Sequence, residues 1–225
     1  MRILLFVFAL MLSPALAGAG EWTVGASAGP FFSGRFAESQ VTIVNGESTV
    51  RISRSLTAKT RAGLLLDVER RFNDRVSFRF EAGINEAPLS ISTDDDDTPD
   101  DGTSLEAGEM RVMTFSIPLV FRFNRAGSLR PYILAGPAYS LYDFEPNQST
   151  GSVPIFDGTR GRLGATAGAG LDWWLSDRLA IFAQTSDIYT RAPLNADDFE
   201  GPRPRSYSIE NPHNVRTSVG LRYSF

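Results

Sequence analysis

The sequence predicts an all-β chain, an eight-stranded up-and-down antiparallel transmembrane β-barrel, and three observations carry that prediction. Apolar and polar residues alternate with period two in eight segments, as side chains on a strand with one apolar face must. The connections between those segments are short and long by turns. Beyond the first residues, no stretch reaches the length of apolar sequence that a membrane-crossing helix needs, roughly 18–20 residues.

The chain opens on Arg2, a run of apolar residues from Ile3 to Leu12, and then Pro14, Ala15, Leu16 and Ala17. A positive residue, a short apolar core and a small-residue cleavage site read as a secretory signal peptide over residues 1–17. Residues 18–225 then form one barrel domain, a size that suits a single domain. There is no cysteine, hence no disulfide and no lipid-modified cysteine. The net charge of −4 and the lack of a basic stripe argue against nucleic acid as a partner. The mean hydropathy is slightly negative, as expected where half of the strand residues face a polar interior.

The first strand, about Trp22 to Phe31, sets Trp22, Val24, Ala26 and Ala28 against Thr23, Gly25, Ser27 and Gly29. The second sets Ala62, Leu64, Leu66 and Val68 against Arg61, Gly63, Asp67 and Glu69, with Leu65 interrupting the polar face. In the third, Val76, Phe78, Phe80, Ala82 and Ile84 oppose Ser77, Arg79, Glu81, Gly83 and Asn85. The fourth has Met113, Phe115, Ile117, Leu119, Phe121 and Phe123 opposite Thr114, Ser116, Pro118, Val120 and Arg122. The fifth, about Arg130 to Tyr142, turns Ile133, Ala135, Tyr139 and Leu141 outward. The sixth alternates Leu163, Ala165, Ala167, Ala169, Leu171 and Trp173 with Gly164, Thr166, Gly168, Gly170 and Asp172. The seventh, about Arg178 to Asp187, sets Leu179, Ile181 and Ala183 against Phe182, Gln184 and Ser186. The eighth places Val215, Thr217, Val219, Leu221, Tyr223 and Phe225 on one face and Asn214, Arg216, Ser218, Gly220, Arg222 and Ser224 on the other.

Phe72 to Asp74, Asn124 to Leu129 and Leu175 to Asp177 are short connections. Ser33 to Ala58, Ala87 to Gly108, Asp143 to Gly161 and Ile188 to His213 are long ones. This order matches short periplasmic turns and long external loops, with both termini on the periplasmic side. Trp22, Phe72, Phe123, Tyr132, Trp173, Trp174, Tyr223 and Phe225 lie at the short-turn end, and Tyr139, Tyr142 and Tyr189 at the other, which reads as two interfacial aromatic girdles.

Alternation alone does not say which face is inside. A soluble lipocalin-like barrel would bury the apolar face. Here the polar face is rich in Gly and Ser, and its charges cancel: Asp67, Glu69, Glu81 and Asp172 against Arg79, Arg122, Arg216 and Arg222. An eight-stranded barrel is just wide enough to be filled by its own side chains. Acids and arginines paired in such an interior avoid the cost of isolated buried charge. The polar face is therefore expected inside as a plug, with Glu69 and Arg222 expected near the rims.

The stretch Ile117-Pro118-Leu119-Val120-Phe121-Arg122-Phe123, followed by Leu129-Arg130-Pro131-Tyr132-Ile133-Leu134-Ala135-Gly136-Pro137, resembles the outer-membrane β-barrel domain family, including PorT-like barrels and the small outer-membrane protein A- and X-like barrels. The likeness extends loosely from Trp22 to Phe225. It implies a bacterial outer-membrane location after signal-peptide cleavage. It also implies assembly by the outer-membrane insertion machinery, which reads the last strand through Val219, Leu221, Tyr223 and Phe225. It implies no single activity.

The acidic run Asp94, Asp95, Asp96, Asp97, Asp100 and Asp101 is a weak candidate for a cation site or an ion bridge to lipopolysaccharide phosphates; a solvated external loop is favoured. It does not fit an EF-hand, because Pro99 falls at a ligand position and Gly108 where the bidentate Glu belongs. Asn45-Gly46, between Val41-Ile43-Val44 and Val50-Ile52, predicts a hairpin within the first long connection. His213 is the one histidine; lipid A-deacylating barrels carry a Ser two residues after theirs, and that position here is Val215. No catalytic residue and no cofactor are assigned. Gly164, Gly168 and Gly170 read as close packing, because no helix follows them to make a phosphate loop. The expected function is a non-conducting outer-membrane scaffold whose external loops bind or adhere, with lipid and lipopolysaccharide as surroundings and the external ligand unknown. A narrow channel for small or hydrophobic solutes is the alternative, and a lipid A-modifying enzyme the least favoured.

Overall fold

A computed structural model describes residues 22–45, 48–95, 103–124, 127–146, 158–193, 206–209 and 211–225. The expected signal segment lies outside them. The strands are β1 (Trp22–Ser33), β2 (Arg35–Asn45), β3 (Ser48–Ala58), β4 (Arg61–Arg71), β5 (Val76–Asp95), β6 (Thr103–Ser116), β7 (Leu119–Arg122), β8 (Leu129–Pro146), β9 (Gly158–Trp174), β10 (Leu179–Thr190), β11 (Ser206–Ile209) and β12 (His213–Ser224).

These strands build eight staves of one closed antiparallel barrel. β1 pairs with β4 on one side and β12 on the other, closing the ring, since a closed sheet leaves no open edge in lipid. From β4 the ring runs through β5, then β6 and β7 together, then β8, β9, β10 and back to β12. β6 and β7 are one stave interrupted at Pro118, which has no N–H to give the ladder. The Pro118 carbonyl still accepts the Arg79 N–H at 3.0 Å, and the Ile117 N–H still reaches the Pro137 carbonyl at 3.0 Å.

The short turns form where polar side chains capture free backbone donors. Asn73 Oδ1 accepts the N–H groups of Arg75 and Val76, each at 2.9 Å. Ser176 Oγ does the same for Arg178 and Leu179, at 3.3 and 3.1 Å.

At the far end, the hairpin expected in the first long connection is present as β2 and β3, and the second long connection, expected as a loop, continues β5 and β6 as strand. β5 continues to Asp95 and pairs there with both β3 and β6. β2 and β3 continue β1 and β4 outward as a hairpin, with Asn45 paired to Ser48; Gly46 lies outside the described residues. β11 adds to the outer edge of β2. A bulge shifts the β5–β6 register beside Leu89, and Gly108 carries it at φ 144°.

The side-chain pattern changes sign partway up the staves. In the lower section apolar residues face out and polar residues face in: Leu64, Leu66, Ile84, Leu119 and Leu221 are exposed, while Asp67, Arg79, Glu81 and Arg122 are buried. Above the level of Ile84, Met113 and Leu141 the order inverts. Glu86, Arg111 and Glu145 now point outward, and Leu89, Met110, Val112 and Phe144 point inward. An apolar exterior suits hydrocarbon, and an apolar interior suits a β-structure surrounded by water. The inversion marks the external edge of the membrane.

Candidate functional site

Eight charged side chains meet inside the membrane-spanning section: Asp67, Glu69, Arg79, Glu81, Arg122, Asp172, Arg216 and Arg222, all of them buried. Inward parity on β4, β5, β7, β9 and β12 delivers them to the same space. Glu69 is the centre of the lower group. Its Oε2 accepts Arg79 Nε and Nη2 at 2.9 and 2.6 Å, and its Oε1 accepts Arg122 Nη2 at 2.5 Å. Arg222 donates from Nε to Asp67 at 3.0 Å and from Nη1 to Asp172. Arg122 adds a longer contact to Asp172 at 3.4 Å. Glu81 forms the upper group: it faces Arg216 at 3.5 Å and Arg79 at 3.6 Å, and it accepts bonds from Gln184 Nε2 and Ser116 Oγ at 2.9 and 3.0 Å. Four acids against four arginines leave this set with no net formal charge.

Glu69 and Arg222 do not sit near the rims, as expected from sequence, but within the network at 0 and 1% exposure. They lie close to the ends of their strands, but each side chain reaches inward to partners on other staves. Tyr132 also departs from expectation. It is not in the girdle but stands in the lumen, with Arg79, Arg122 and Arg222 at 4.8, 5.9 and 5.4 Å from its ring centre. Its hydroxyl donates to Gln184 Oε1 at 2.9 Å and accepts from Arg222 Nη1 at 3.2 Å. An aromatic face near several guanidiniums adds cation–π attraction in a dry setting. Phe182 lies under Arg222, 3.7 Å from ring centre to Cζ. Tyr142 and Trp174 likewise turn inward, one at each end of the lumen. Trp174 has Arg71 and Arg130 at 5.1 and 5.0 Å from its ring. The signal for Tyr132 was in the sequence: Ile133 and Ala135 face out, so Tyr132 must face in.

Above the charges lies an apolar core of Phe31, Phe36, Leu56, Leu89, Ala107, Met110, Val112, Tyr142 and Phe144. Phe36 meets Tyr142 and Phe144 edge-on at 6.1 and 6.4 Å. A polar lock sits between the two levels: Tyr142 OH lies 2.7 Å from Thr190 Oγ1 and accepts from Asn214 Nδ2 at 2.7 Å, while Asn214 Oδ1 accepts from Ser33 Oγ at 2.7 Å.

On the outer wall, Val219, Leu221, Tyr223 and Phe225 are exposed in one row. Between β1, β4, β5 and β6 the wall holds an apolar groove of about 310 Å³, bordered by Ala26, Leu64, Leu66, Ala82, Ile84 and Phe115. The acidic run begins on a strand, where the backbones of Asp94 and Asp95 pair with Ser53 and Ile52. Asp96, Asp97, Asp100 and Asp101 lie outside the described residues. Among the described residues, no group of three or more His, Cys, Asp or Glu side chains is placed to hold a metal. His213 is exposed and meets Asp187, Nδ1 to Oδ2 at 2.6 Å.

Comparison with known proteins agrees with this geometry. The family model described as outer membrane protein beta-barrel domain matches residues 3–225. The fold is similar to that of OprG from Pseudomonas aeruginosa, at 12% identity over 92% of this chain and 96% of that one, with a TM-score of 0.59. A major outer membrane protein from Thermus thermophilus is 12% identical over 92% of this chain and all of its own (100%), with a TM-score of 0.51. Neisserial surface protein A is 11% identical over 92% of this chain and 100% of its own, with a TM-score of 0.50. At these identities the likeness concerns the fold alone. No curated protein matches the chain.

Proposed function

The chain belongs to the outer membrane protein β-barrel domain family, and from that premise we propose that it is a non-conducting scaffold of the outer membrane whose external β-extension and loops carry recognition. One observation supports this reading above the others: the interior is filled at two heights, by the charge network within the membrane and by the apolar core above it. An ion crossing the barrel would have to part buried, hydrogen-bonded ion pairs and then a dry aromatic cluster, and each is a costly barrier.

The rival reading, a narrow channel, draws on the small inward side chains of β9, β10 and β12, where Gly168, Ser186 and Ser218 line one wall of the lumen. Planar-bilayer recordings of the refolded chain decide between them. Silence at applied voltage is the expected result. Steady single-channel steps overturn the scaffold reading.

The proposed surroundings are outer-membrane lipid and lipopolysaccharide. Removal of residues 1–17 on export is part of the proposal, as is recognition of Val219, Leu221, Tyr223 and Phe225 by the insertion machinery. In this reading His213 carries no catalytic role.

A further inference from the structure

Between Glu81 and the polar lock, the lumen passes through a layer of small residues. Gly29, Gly63 and Gly83 face inward there on three neighbouring staves, with Ala138 and Gly168 on the far wall. An eight-stranded barrel is filled only when its inward side chains are large enough to meet, so this layer has room that the levels of Tyr132 and Phe144 lack. Two long side chains cross it. Arg216 lies over Gly83 and Asn85 over Gly63, so that a Cβ on either glycine would collide with them. The protein does not satisfy them. Arg216 reaches Thr114 Oγ1 and Glu81 Oε2 only at 3.5 Å each, and its Nε has no partner. Both amide atoms of Asn85 and the hydroxyls of Thr166, Ser186 and Ser218 likewise have no hydrogen-bonding partner among the described residues. All five residues are 1 or 2% exposed. Ser186 pairs with Arg216 on one side and with Gly168 on the other, which keeps the unpaired atoms in one region.

We propose that this layer is a closed chamber that binds ordered water, and that the Tyr142–Thr190–Asn214 lock, with the aromatic core above it, is the seal between that water and the outside. Buried polar groups in native interiors are paired with protein or with bound water. The unpaired set decides what the chamber holds. Arg216 Nε and Asn85 Nδ2 donate, Asn85 Oδ1 accepts, and the three hydroxyls do both, so the ligand must give and take hydrogen bonds. The eight lumen charges already balance, so no ion is required. Water meets both conditions, and it bridges polar groups that stand too far apart to meet directly. The chamber rests on the non-conducting reading and adds to it where the external closure lies.

The test uses the full chain refolded in bilayers. In magic-angle-spinning NMR of the unmutated protein, magnetisation from water should reach the side chains of Thr166, Ser186 and Ser218 early and miss Met110 and Val112 in the apolar core. The chain has no cysteine, so Ser218→Cys places a single thiol in the chamber. Silver ion added from outside should react slowly with that thiol, and adding Tyr142→Ala should speed the reaction by roughly tenfold or more as the lock opens. If Thr166, Ser186 and Ser218 are as silent toward water as Val112, in a barrel that passes no current, the chamber alone is overturned. Equal silver rates with and without Tyr142→Ala overturn the seal. Steady single-channel steps from the unmutated protein overturn the non-conducting reading, and the closure with it.

Discussion

Glu69 and Arg79 face each other directly across β4 and β5, and two guanidinium nitrogens converge on one carboxylate oxygen, at 2.9 and 2.6 Å. The other oxygen of Glu69 is taken by Arg122. One carboxylate thus holds two arginines that have no water to turn to. The membrane-spanning interior is organised by such shared contacts and not by isolated pairs.

Removing that carboxylate should therefore cost far more than an exposed ion pair would. Glu69→Ala leaves Arg79 and Arg122 without their closest anion, and loss of one partner from a buried pair destabilises by about 3–5 kcal/mol. Urea unfolding of the refolded protein in lipid vesicles should show the loss as a lower midpoint. An unchanged midpoint would mean that the network does not support the fold.

Tyr132 should separate packing from hydrogen bonding. Tyr132→Phe keeps the ring near three guanidiniums but removes the hydroxyl that serves Gln184 and Arg222, a cost of about 1–3 kcal/mol. Tyr132→Ala also empties the space and should cost about 3–5 kcal/mol. Gly170→Ala tests the same spot from outside the ring, because a Cβ there collides with the Tyr132 side chain; overpacking costs about 1–3 kcal/mol. Equal unfolding midpoints for all three would contradict the tight lumen.

The apolar core above the membrane should behave as a separate layer. Phe36→Ala removes the ring that meets both Tyr142 and Phe144, a loss of about 3–5 kcal/mol within that layer. Limited proteolysis should then cut the external extension faster while the membrane-embedded part keeps its heat-modifiable migration. A variant that loses both together would show that the two layers fold as one.

The membrane section was legible in the sequence because one rule governs it. Every outward residue from Val76 to Ile84 on β5 is apolar or small, and every inward one from Ser77 to Asn85 is polar or glycine, so strand, face and partner set follow from parity. In the extension, the β2–β3 hairpin was legible from Asn45-Gly46 between β-branched runs, but the continuation of β5 was not, because the rule inverts. At Glu86 and Ala87 the polar residue faces out and the apolar one in, and a reader following a single phase ends the strand there. Pro88 and the Asp run then reinforce the look of a loop, although β5 continues to Asp95. The eight lumen charges could be named from their parity, but not their depth. Glu69 and Arg222 lie close to the ends of their strands and reach the network only through side-chain length and tilt, which no linear pattern encodes. Residue type alone suggests a girdle for Tyr132, but its place beside outward-facing Ile133 puts it inside.

The central claim is a lipid-facing apolar wall around a packed polar interior, and three consecutive leucines test it without any mutation. Leu64 and Leu66 are 60 and 56% exposed on the outer wall, while Leu65 is 1% exposed inside. In methyl-labelled protein refolded into bilayers, nuclear Overhauser contacts from lipid acyl-chain protons should reach the methyls of Leu64 and Leu66 and miss those of Leu65. Acyl-chain contacts at Leu65, with Leu64 and Leu66 silent, would turn the barrel inside out and contradict the account.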